Sequence, residues 1–153
     1  MTPRLLYRIL SIAEAITWTL LIAALIARYG FVLDQFVFPA GFTHGFVFLS
    51  YGATAIVVGL NQRWPLGRIA FAVLTAIIPF ATIPFDRWLE RRNYLDGPWR
   101  EEATDDPRDA GVIDRVLRWF LRYPWVLFVG GVAAIVVVFM ILLSLGPPTE
   151  WGQ

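Results

Sequence analysis

Two ionisable side chains stand in apolar runs where a lipid-soluble segment should carry none. Glu14 lies in "SIAEAITWTLL", and His44, the single histidine of the chain, lies in "GFTHGFVFLSYG". A carboxylate and an imidazole form an acid–base couple. Side by side in a low-dielectric medium, each stabilises the other's charged form, or the two share one proton. Phe48 and Tyr51 follow His44 at helical spacing and share its face, while Ser11, Glu14 and Trp18 form a matching stripe on the preceding segment. The candidate intramembrane polar site is therefore Glu14, His44 and Tyr51, with Ser11, Thr17 and Thr43 as further partners. Two roles stay open for it. A buried Glu–His contact can set the register of two helices whose apolar packing in lipid is unspecific. It can also handle a proton, a quinone-like headgroup or haem.

Other chemistry lacks its residues. One histidine and no cysteine leave a haem without two axial histidines from one chain, and zinc or iron–sulfur centres without their ligand sets. No nucleophile elbow and no phosphate-cradling glycine loop occurs. No catalytic residue, metal or cofactor is expected, and the balance is against an enzyme. The basic residues are all arginine and are offset by 12 acids, for a net charge of +1, so nucleic acid is not an expected partner.

The elements that must position Glu14 and His44 follow from composition. The chain has 153 residues, 58% of them apolar, far above a soluble domain of this size. A charge at the bilayer centre costs about 2.5–3.5 kcal/mol, so charges mark where the chain leaves the membrane. Four apolar stretches result: Arg8 to Arg28, Asp34 to Arg63, Ile69 to Phe85, and Tyr123 to Leu145. Lipid offers no hydrogen bonds to a backbone, which makes each of them helical. In "TAIIPFATIPF", Pro79 and Pro84 crowd the carbonyls of Thr75 and Phe80, which predicts a kink or an early helix end, read as a tolerated bend in preference to a break lining a cavity. Gly41, Gly45, Gly52 and Gly59 line the second span and favour close helix approach.

Between the third and fourth stretches lies a charged insert, Asp86 to Arg122. Asp96-Gly97-Pro98 marks a turn, and Asp105-Asp106-Pro107 a helix start. Beyond it Val112, Val116, Trp119 and Tyr123 recur at helical spacing, with Arg115, Arg118 and Arg122 on another face. This is an amphipathic helix suited to lie on anionic headgroups through those three arginines, or to pack on its own protein. Four spans put both termini on one side, with four arginines, and the insert with Arg28 on the other, with nine. The insert is then cytoplasmic and both ends, including the tail "GPPTEWGQ", are outside.

The ordered set Arg8, Glu14-Ala15, Leu20-Leu21, Arg28-Tyr29, His44-Gly45, Tyr51 and Pro79-Phe80 before Asp86-Arg87 resembles the small bacterial integral-membrane proteins termed YdzA-like, a family defined as a domain of unknown function. The resemblance covers residues 4–92. It implies a bacterial plasma membrane location and three hydrophobic segments, with the family's Glu, His-Gly and basic positions falling on Glu14, His44-Gly45 and Arg87, Arg91 and Arg92. It implies no reaction. The acidic linker, amphipathic helix and fourth span are additions to that pattern.

The expected architecture is an all-α polytopic bundle of four transmembrane helices plus one cytoplasmic amphipathic helix. It divides into a three-span core (4–92), a charged linker with the amphipathic helix (93–122), and a fourth helix with a short tail (123–153). The expected role is an interaction or accessory subunit of a membrane complex. Its partners would be the lipid bilayer and either another membrane protein or a second copy. The alternative is a proton-, quinone- or haem-handling site on Glu14 and His44.

Overall fold

Six α-helices and two short 3-10 turns are formed among the described residues of the computed structural model, which are 1–144, with backbone alone at 124, 127, 128 and 143. The all-α class is as expected. The tail "GPPTEWGQ" lies outside the described residues.

Helix α1 (Pro3–Phe31) begins where Thr2 accepts a hydrogen bond from the Leu5 amide and Pro3 supplies a preset φ. It ends at Val32 in the left-handed region, where the Val32 and Leu33 amides close onto Arg28 and Ala27 carbonyls. A short connection holding the 3-10 turn Asp34–Phe36 returns the chain antiparallel as α2 (Val37–Asn61). Pro3–Phe31 and Asp34–Asn61 are both long and apolar enough to cross a membrane. At the far end of α2 Arg100 donates to the carbonyls of Asn61 (2.6 Å) and Leu60 (2.7 Å), the latter also accepting from the Arg63 amide (3.1 Å).

The third apolar stretch departs from expectation. The helix does end early at the prolines, but the stretch is neither one span nor a bent one: it is a hairpin of two half-length helices, α3 (Leu66–Thr75) and α4 (Thr82–Arg91). Pro79 and Pro84 act as their chemistry dictates, and the two carbonyls they would crowd retreat to tighter partners. The Thr75 carbonyl accepts from Ile78 and the Phe80 carbonyl from Ile83, each at 3.3 Å. Phe80 turns left-handed (φ 64°) and reverses the chain. α3 runs antiparallel to α2, with Ile69 against Gly59 and Thr75 against Tyr51. α4 then runs back antiparallel to α1, with Thr82 against Ser11, and Asp86 and Glu90 against Arg8. The end of α4 therefore meets the start of α3: the Trp64 indole donates to the Tyr94 carbonyl (2.9 Å), and Arg68 stacks on the Tyr94 ring (3.7 Å).

This reversal moves the charged insert. It sits at the end of the bundle that holds the N-terminus, with Arg4 paired to Asp96 and the Trp99 indole donating to the Met1 carbonyl. Arg4, Arg8, Arg63 and Arg68 thus share an end with Arg87, Arg91, Arg92, Arg100, Arg108, Arg115, Arg118 and Arg122, while Arg28 stands alone at the other. The four-against-nine division drawn from four spans does not hold.

Within the insert, Gly97 takes the turn (φ 112°) and Asp106 caps the 3-10 turn Pro107–Ala110 by accepting from the Arg108 amide. Asp109 is the hub. Its carboxylate meets Arg63 (2.6 Å), Arg100 (3.1 Å) and Arg118 (3.3 Å) and accepts from the hydroxyl and amide of Thr104. Those Thr104 bonds first, and then Arg63, hold the Asp109 carboxyl well below the usual carboxylate range; the Arg108 side chain and amide do the same for Asp106.

Helix α5 (Val112–Arg122) follows. Arg118 was expected on a headgroup-facing surface with Arg115 and Arg122, but it is 8% exposed and committed to Asp109, because Leu117 and Leu121 turn that face onto the protein. Arg115 and Arg122 remain exposed, flanking an open stripe of Val112, Val116, Trp119 and Tyr123. Helix α6 (Pro124–Ser144) then lies antiparallel to α2, with Phe139 seated on Gly45. The glycines of α2 do not form one seam: Gly45 faces α6, Gly59 faces α3, and Gly41 meets only Leu21, at 4.0 Å.

Candidate functional site

The polar centre is built from the buried stripe of α1: Tyr7, Ser11, Glu14 and Thr17 recur every three or four residues and so point one way. Facing it from α2 are His44, Tyr51, Ala55 and Val58, a stripe of the same period. The tip of the hairpin closes the third side. There the Trp18 indole donates to the Ala76 carbonyl at the end of α3 (3.0 Å), and the Thr82 hydroxyl donates to the Ser11 carbonyl (3.1 Å).

Glu14 and His44 are brought together. Their closest approach is 3.9 Å from His44 Nδ1 to Glu14 Oε2, with Glu14 fully buried and His44 8% exposed. That distance is too long for a hydrogen bond. The imidazole spends its Nδ1 on Thr17, at 3.1 Å. With the Thr17 proton on the Glu14 backbone carbonyl (3.1 Å), the Thr17 oxygen is placed to accept from the His44 tautomer protonated on Nδ1. Trp18 covers the imidazole, with ring centroids 4.4 Å apart. Both carboxyl oxygens of Glu14, and the hydroxyl of Ser11 one turn away, have no hydrogen-bond partner among the described residues. An ionised carboxylate left dry and without donors is strongly unfavourable; such a group requires a proton, a cation or a polar ligand.

Tyr51 is buried in the same core but serves a different arrangement. The Thr75 hydroxyl donates to its own helix at Ala72 O (2.6 Å), so it accepts from Tyr51 (3.0 Å), and Tyr51 in turn accepts from Tyr7 (2.7 Å). The chain of hydroxyls has one polarity and ends on a backbone carbonyl. It joins α1, α2 and α3, and it does not reach Glu14. Thr43 is not part of the site: it is exposed and donates to Pro39 O of its own helix. Tyr7, Thr75 and Thr82 were missed in the sequence. Tyr7 had a signal, since it continues the Ser11–Glu14 stripe by one turn, whereas Thr75 and Thr82 face the centre only because the chain reverses between them. Among the described residues, no three His, Cys, Asp or Glu side chains gather as metal ligands.

Fold and site together define a class: an all-α protein with two helices long and apolar enough to cross a membrane and an acid–base pair buried between them. The chain belongs to the family described as "Domain of unknown function (DUF3817)", whose model matches residues 5–91. That match holds Glu14, His44, Tyr51 and both arms of the hairpin, and it nearly coincides with the stretch that carried the resemblance. The chain is also similar to a Streptomyces coelicolor protein named "Putative membrane protein", at 36% identity over 110 residues, 69% of this chain and 12% of that one. It thus spans only a small part of that relative's length. No solved structure matches the chain.

Proposed function

We propose that this chain is a multi-pass protein of the bacterial plasma membrane whose Glu14–His44 pair takes up and releases a proton inside the bilayer. The YdzA-like resemblance and the relative's name support that location. On this reading α1, α2 and α6 cross the membrane and the α3–α4 hairpin enters and leaves on the cytoplasmic side. That side carries twelve of the 13 arginines, an asymmetry far sharper than four crossings would give. α5 lies on the cytoplasmic leaflet, its apolar stripe toward lipid and Arg115 and Arg122 toward headgroups.

The observation that carries the proton role is the Glu14 carboxyl, buried and without a donor among the described residues, 3.9 Å from an imidazole Nδ1 already engaged by Thr17. A pair serving only to set register would close to hydrogen-bond distance; here that duty falls to the Tyr7–Tyr51–Thr75 chain. A small shift of the His44 N–H from Thr17 toward Glu14 would couple carboxyl protonation to imidazole position. A second reading, an accessory module of a larger membrane assembly, is favoured by the similarity to a small part of a much longer protein.

Infrared difference spectra across a pH titration test the proton role. A protonated-carboxyl band that titrates in the wild type is expected to vanish in Glu14→Gln and to move in His44→Gln. If neither variant alters the titration and both only lower thermal stability, the pair is a register device and the proton role fails.

A further inference from the structure

α3 packs on α2 and α4 on α1, and the two arms meet through Phe71 and Phe85 (ring centroids 5.2 Å), leaving a groove along their outer face. The groove, of about 790 Å³, is walled by Phe71 and Leu74 of α3, Ile78 of the turn, Ala81 just before α4, and Pro84 and Trp88 of α4. Its walls are almost wholly apolar and several are well exposed, Phe71 at 57% and Ile78 at 61%. At the arginine-rich end its mouth is Arg68, which lies on the Tyr94 ring and has no carboxylate partner among the described residues. Arg87, Arg91 and Arg92 stand on the same end of α4.

We infer that this groove is a binding site for one anionic phospholipid of the cytoplasmic leaflet, an acyl chain lying between the arms and its phosphate on Arg68. The inference rests on the membrane reading above, though not on the proton role. Three features select this occupant. The ten residues of α3 rise about 15 Å, half of a hydrocarbon core about 30 Å thick, so the groove has the length of one leaflet's chains. It closes at the hairpin tip, where Ile78 and Ala81 meet, which admits a chain end and excludes a helix crossing the whole membrane. Its one polar mouth is cationic and unmatched, which suits a phosphate and opposes a zwitterion of equal size. An apolar helix from a partner would leave Arg68 unanswered.

Native mass spectrometry of the detergent-purified protein, offered phosphatidylglycerol or phosphatidylcholine, tests the site. One phosphatidylglycerol is expected to be retained. Arg68→Gln should lower its preference over phosphatidylcholine about fivefold, the factor for one arginine at a membrane surface. Ala81→Phe should abolish retention by filling the groove. Chain-brominated phosphatidylglycerol should quench a fluorescence component that Trp88→Phe removes, which locates the chain even if Ala81→Phe misfolds. Retention indifferent to headgroup and to Arg68→Gln would overturn the site, as would a dimer mass without lipid. A protein that leaves detergent for the aqueous phase would instead undo the membrane reading, and this site with it.

Discussion

At the scale of single residues, the centre of the molecule separates two jobs that the sequence presents as one. Glu14, His44 and Tyr51 were legible as inward-facing because each sits at helical spacing in an apolar run, and an ionisable group there has nowhere else to go. Which of them touch was not legible, because hydroxyl partners depend on the side-chain rotamers of three helices at once. The polarity of the hydroxyl chain makes the difference measurable. Removing the Tyr7 hydroxyl leaves Tyr51 still donating to Thr75, whereas removing the Tyr51 hydroxyl strands the Tyr7 donor and leaves Thr75 without its incoming bond. Tyr51→Phe should therefore cost about 1–2 kcal/mol in a chemical-unfolding titration and Tyr7→Phe distinctly less. Equal costs, or the reverse order, would mean that the hydroxyls are oriented otherwise. Glu14→Leu differs in kind: it removes a buried carboxyl that has no hydrogen-bond partner among the described residues, so stability should hold or rise while proton uptake is lost.

At the scale of elements, the helices of the first two stretches were readable from charge spacing, although α1 runs past Arg8 and Arg28 at both ends. The third was misread for an identifiable reason. Two prolines five residues apart predict disturbed hydrogen bonding, but the same local chemistry serves a bend and a reversal. The outcome was decided by contacts distant in sequence: Ile69 on Gly59 and Thr82 on Ser11. Gly59 is the tightest of these. A Cβ there would meet Ile69 Cγ1 at 2.6 Å and Trp64 Cε3 at 3.1 Å, so Gly59→Ala must push α3 off α2 and should cost about 1–3 kcal/mol. Gly130 in α6 is the internal control. With nothing within 4 Å of its added Cβ, Gly130→Ala should be neutral or stabilising by about 0.5–1 kcal/mol through helix propensity alone. Comparable losses at the two positions would contradict the close packing of the hairpin on α2.

At the scale of the whole molecule, the insert is a clasp over one end of the bundle, and its charge makes it acid-sensitive. Asp109 titrates below the usual carboxylate range in the folded protein, so its stabilising effect is fully present above the ordinary value near pH 4 and is lost as the pH falls through and below it. Hydrogen exchange in 100–122 should accelerate on acidification before α1 responds, and Asp109→Asn should show that rapid exchange at every pH. The clasp also bears on topology, because it binds the N-terminus and the insert to the same end. The chain has no cysteine, so single cysteines can be placed cleanly. With the hairpin, Thr2→Cys and Glu102→Cys lie on one side and Asp34→Cys on the other; four crossings would instead put Asp34 and Glu102 together. In intact bacteria an impermeant maleimide is expected to label the Asp34 variant, and the other two only after lysis. Joint labelling of positions 34 and 102 would restore four crossings, dissolve the twelve-to-one arginine asymmetry, and remove the one-leaflet groove between α3 and α4. The proton role of Glu14 and His44, held between α1 and α2, would survive that result, since both helices cross in either arrangement.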